Sequence, residues 1–85
     1  MNRKKLLKRL CEGGFSNIAF KDLVNLVEDF GFRLARISGS HHIFNHPGIV
    51  ELLNLQEVHG KAKPYQVKQL LQLIERYDLQ IEDEK

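Results

Sequence analysis

The chain has 85 residues, 42% hydrophobic and 28% charged, with one cysteine and a formal net charge of +2. A chain this short reads as one domain that buries only about 60–65% of its unfolded surface, which excludes a deep cofactor cavity and favours surface chemistry on a large partner. It has no apolar run of about 18 residues, no signal-peptide core in "MNRKKLLKRL" and no partner for Cys11, so a cytoplasmic protein with no membrane span and no intramolecular disulfide is expected.

The first segment carries Arg3, Lys4, Lys5, Lys8 and Arg9 without an acid. Asn2 is placed to cap a helix running to about Leu10, with Leu6, Leu7 and Leu10 on one face, and Gly13-Gly14 ends it. Those leucines point to packing on a core. The cations are either solvated or an arm for nucleic acid. A second helix follows in "FKDLVNLVEDF", where Phe20, Leu23, Val24, Val27 and Phe30 recur at helical spacing and Gly31 sits at the C′ position.

The period then changes to two. "FRLARI" (32–37) reads as one strand, "SGS" (38–40) as a turn, "HHIFNH" (41–46) as a second strand stopped by Pro47-Gly48, and "VELLNLQ" (50–56) as a third. "GKAK" (60–63) reads as a polar loop, and Pro64 opens a last helix with Val67, Leu70, Leu71 and Ile74 as its buried stripe and Tyr77 one turn on. The order predicts an α+β domain: a three-stranded antiparallel sheet with the two longer helices packed on one face and the other face open. Between Arg33 and Lys68 five cations stand against two acids, which suits a polyanion or a solvated face. The last eight residues are acidic through Asp78, Glu82, Asp83 and Glu84.

Neither histidine after the Gly-Ser turn is needed to close a hairpin. In a regular strand His41, Ile43 and Asn45 share one face, and His42, Phe44 and His46 share the other. Phe44 is the better core residue, so His41 is aimed at the open face and His42 at or near the packed one, unless a bulge intervenes. His42 and His46, roughly 13 Å apart along the strand, cannot share one metal ion, and no metal site is expected. Cys11 reads as a small apolar side chain rather than a nucleophile. General acid–base work remains. An imidazole titrates near neutrality, and RNA phosphodiester cleavage needs a base, an acid and cations for the phosphate, with no cofactor. His41 with Arg36 and the "GKAK" lysines fits that set. A histidine that merely packs or hydrogen-bonds fits as well.

The segment "GSHHIFNHP" resembles the signature of the HicA toxin family, small mRNA interferases of type II toxin–antitoxin modules. The resemblance extends through "FKDLVNLVEDFGF", "RLARISGSHHIFNHP", "ELLNLQ", "VHGKAK" and "PYQVKQLLQLIERY", about residues 20–77. It implies a double-stranded-RNA-binding-domain-like (dsRBD-like) fold, α-β-β-β-α, preceded here by an extra N-terminal helix. It divides the chain into a basic extension (1–19), a HicA-like domain (20–78) and an acidic tail (79–85). It also implies a metal-independent endoribonuclease toxin acting on mRNA, held by a HicB-like antitoxin, with no cofactor. Its catalytic histidine falls on His41, or on His42 where members read Gly-Ser-x-His. Gly39 and Ser40 match the motif's turn, and Arg36, Lys61, Lys63 and Lys68 are the expected phosphate partners. The chain departs from the family in its basic first 19 residues, in "QEVHGKAK" where Pro-x-His is common, and in its acidic tail. The alternative is a non-catalytic RNA-binding or protein-interaction module of the same fold.

Overall fold

The computed structural model describes residues 3–81; the cap expected at Asn2 and the acids of residues 82–85 lie outside them. Helix α1 spans Arg3–Cys11 and α2 spans Phe20–Asp29. Strands β1 (Arg33–Ser38), β2 (His41–His46), β3 (Ile49–Val58) and β4 (Lys61–Ala62) follow, and α3 (Pro64–Tyr77) closes the domain. The strands form one antiparallel sheet in the order β1-β2-β3-β4. The α+β reading holds, but the sheet has four strands among the described residues rather than the three expected.

The fourth strand lies within the segment read as a polar loop. His59 (φ 52°) and Gly60 (φ 76°) both adopt left-handed backbone, the conformation of a two-residue hairpin turn. The turn returns the chain onto β3, with Glu57 opposite Ala62 and Val58 opposite Lys61. Backbone bonds then tie the turn and β4 to the start of α2 and the residues before it: Phe20 N–H to Gly60 O (2.8 Å) and Ala62 N–H to Ile18 O (2.9 Å). Two residues are too few to show a period of two, so only the buried Ala62 among polar neighbours hints at a strand.

The core is one apolar cluster. Leu23, Leu26 and Val27 of α2 and Val67, Leu70 and Leu73 of α3 cover Phe44, Leu53 and Leu55 of the sheet, and Leu6 and Leu10 anchor α1 onto it. The stripe of α3 is rotated from the expected one: Leu73 is buried, while Leu71 and Ile74 are only partly covered. Gly31 (φ 97°) ends α2 as expected, with Gly31 N–H bonded to Glu28 O and Phe32 N–H to Val27 O. That closure delivers Phe32, fully buried, to the start of β1.

Two register features position the site. The β1–β2 connection is the pair Gly39-Ser40, with positive φ (61°) at Gly39, the position a type II′ turn gives to glycine. It sets Ser38 opposite His41, Ile37 opposite His42 and Arg36 opposite Ile43. A bulge between Leu34 and Arg36 then leaves Ala35 without a partner and brings Leu34 opposite Phe44 and Arg33 opposite Asn45.

Candidate active site on the open sheet face

The alternation in β2 runs as the sequence suggests. Phe44 is fully buried under the helices, whereas His41 and Ile43 lie on the uncovered face. His41 is half-buried between Ser38 of β1 and Gln56 of β3, which stand directly opposite it. Arg36 and Asn54 both stand opposite Ile43, so each is a diagonal neighbour of His41, about 7–8 Å away and within reach of a long side chain. His41 Nδ1 lies 3.1 Å from Asn54 Oδ1. An amide oxygen only accepts, so this bond requires the proton on Nδ1, and in the neutral imidazole the lone pair is then on Nε2. Gln56 steadies the turn above it, its Nε2 donating to Ser40 Oγ at 3.3 Å.

His42 turns the other way. Its ring packs against Phe20, with centroids 4.8 Å apart and planes at 60°. Its Nδ1 lies 3.4 Å from the Ser40 carbonyl oxygen, which can only accept. The two adjacent histidines therefore do not converge on one reacting group. His46 is structural. Its Nε2–H donates to Phe30 O (3.0 Å), Gly48 N–H donates to its Nδ1 (2.9 Å), and its ring meets the edge of Phe32 at 5.0 Å. Both nitrogens are thus engaged in tying the end of β2 to the end of α2. His59 sits exposed in the β3–β4 turn.

The cations divide between two faces. Arg36 is exposed on the His41 face. Lys61 is paired with Val58 while its neighbour Ala62 is buried, so it too belongs to the open face, on the opposite side of His41 from β1. Lys63 precedes α3 with its Nζ 6.0 Å from the Tyr65 ring centroid, and Lys68 lies in the helical layer, 5.5 Å from the Phe15 ring centroid. These two are not gathered with His41. Sequence reasoning missed Arg33. Simple alternation puts residues 33 and 36 on opposite faces, but the bulge at Ala35 restores Arg33 to the face of Asn45, Ile43 and His41. It also missed Asn54, whose role is visible only once β2 and β3 are in register.

Among the described residues no three His, Cys, Asp or Glu side chains gather as a metal-ligand set, and no helix is long and apolar enough to cross a membrane. Cys11 is exposed in a groove between α1 and α3 that is also lined by Leu7, Phe30, Leu71, Ile74 and Leu79. α1 packs on the helices, so this groove lies across the helical layer from His41 on the open face.

Among known families, the one described as HicA toxin of bacterial toxin-antitoxin matches residues 20–75. No curated protein and no solved structure matches the chain. The matched span contains the β1–β2 hairpin, its three histidines and the whole open face of the sheet.

Proposed function

Because the chain belongs to the HicA toxin family, whose members are generally mRNA-cleaving toxins of toxin–antitoxin pairs, we propose that it is a metal-independent endoribonuclease acting on mRNA, with His41 as its general acid–base group. The observation that carries this reading is the His41–Asn54 hydrogen bond, which leaves Nε2 of a half-buried imidazole available on an open face beside an arginine. In the reaction the ribose 2′-oxygen attacks the adjacent phosphorus and the bond to the 5′-oxygen breaks. A proton leaves the 2′-hydroxyl and another reaches the departing oxygen. His41 Nε2 performs one of these transfers, while Arg33, Arg36 and Lys61 hold phosphate oxygens. Ser40 and Gly39 shape the turn beside the phosphate, and Lys63 and Lys68 serve a more distant part of the strand.

In this reading residues 20–78 form a HicA-like domain of dsRBD-like topology, elaborated by β4. Residues 1–19 are an extension anchored through Leu6 and Leu10, and residues 79–85 are a tail. The protein works in the cytoplasm, where its substrate is. The open face also carries Val50 and Leu52, 91% and 59% exposed, apolar surface that a phosphodiester strand does not require. This supports a protein partner on the same face, a HicB-like antitoxin that covers His41.

The test is incubation of the purified chain with RNA in EDTA. Cleavage is expected, and His41→Ala should lose about 10²–10⁴ in rate with its fold intact. Intact RNA with a salt-sensitive gel shift would instead identify a binding module. One observation favours a second reading: the Ser40 carbonyl accepts from His42 Nδ1, so His42 also keeps a lone pair on Nε2. Loss of cleavage in His42→Ala, with His41→Ala still active, would move the acid–base role to His42.

A further inference from the structure

We infer that Asn54 is a positioning residue for His41, its side-chain carbonyl fixing the imidazole with the proton on Nδ1 and the lone pair of Nε2 turned away from β3. This rests on the reading of His41 as the acid–base group. A neutral imidazole in water carries its proton mostly on Nε2. An acceptor 3.1 Å from Nδ1 inverts that preference and makes Nε2 the nitrogen able to take a proton. The holder stands on a rigid element. Asn54 lies in the middle of β3, paired through Ile43 of β2, and two residues on, Gln56 N–H donates to Gln66 Oε1 at 2.6 Å. Gln66 is only 2% exposed and belongs to α3, so the strand carrying Asn54 is fastened to the helical layer. An amide orients the ring without adding charge. A carboxylate at this position would orient it and also stabilise the imidazolium.

The test is long-range ¹⁵N–¹H correlation spectroscopy of the full chain at a pH above the imidazole titration, with RNA cleavage measured on the same preparations. Wild-type His41 is expected as the Nδ1–H form. Asn54→Leu, which cannot accept, should shift it to Nε2–H and lower kcat about 10- to 100-fold with KM little changed, the range seen when the outer partner of a metal-bound histidine is removed. Asn54→Asp still accepts, so it should restore Nδ1–H, recover rate relative to Asn54→Leu and move the acid limb of the pH profile upward. Three results would each overturn the inference: wild-type His41 protonated on Nε2, a tautomer unmoved by Asn54→Leu, or a switched tautomer with undiminished kcat. Undiminished cleavage by His41→Ala would overturn the reading beneath it and the catalytic part of this role, while the spectra still decide whether Asn54 sets the tautomer.

Discussion

At the scale of single residues, one strand gives three histidines three kinds of work. His46 spends both ring nitrogens on backbone groups, His42 lies against Phe20, and only His41 is held by a side chain on the uncovered face. The loss of cleavage expected for His41→Ala is therefore local, with circular dichroism unchanged. Another polar pairing has a pH signature. Tyr77 Oη donates to Glu51 Oε1 at 2.6 Å and Arg76 Nη1 to Glu51 Oε2 at 2.9 Å. The Tyr77 hydrogen bond, aided by Arg76, holds the Glu51 carboxyl below its ordinary 4.5. The same bond holds the Tyr77 hydroxyl above its ordinary 10.0. The carboxylate's contribution to stability is thus present above pH 4.5 and lost as pH falls through the lowered folded value; the phenol's is present below pH 10.0 and lost as pH rises through the raised one. Tyr77→Phe should raise the Glu51 titration midpoint, followed by NMR, and flatten the acid limb of the stability curve. A midpoint that stays put would show that the hydroxyl is not what lowers it.

At the scale of elements, His46 joins α2 to the hairpin. His46→Ala leaves Phe30 O and Gly48 N–H without their partner, and a loss of about 1–3 kcal/mol is expected in denaturant unfolding, with RNA cleavage retained at temperatures where the fold persists. The same elements show what the sequence made legible. α2 was plain because five apolar residues and a terminal glycine obey one period, and the facing of β2 was plain because Phe44 has room only in the core. β4 was hidden because two residues carry no period. The bulge was hidden because an unpaired alanine has no compositional mark, and it took Arg33 out of view with it. Asn54 was hidden for a different reason: a long-range hydrogen bond depends on which residues of two strands face each other, and alternation alone does not fix that register.

Over the whole molecule, the open face carries cations and exposed apolar side chains together. Cations on the open face, Arg36 and Lys61 among them, predict RNA binding that weakens with salt. Arg36→Ala should reduce the slope of log K against log salt by about one contact's worth and lower affinity across sequences alike, measured by fluorescence anisotropy over a salt series. A slope equal to wild type would place Arg36 outside the phosphate track. The bulge in β1 has one more consequence. At Ala35 the ladder carries one residue in reserve: the side chain is exposed and unpaired, so exchanging it for another is mild. Removing that single codon would close the bulge into regular ladder: Leu34 would stay opposite Phe44 and Arg33 opposite Asn45, so both the hairpin end and the upstream faces would be kept. Hairpins built this way should therefore absorb the loss of one residue at this point as readily as a change in its kind.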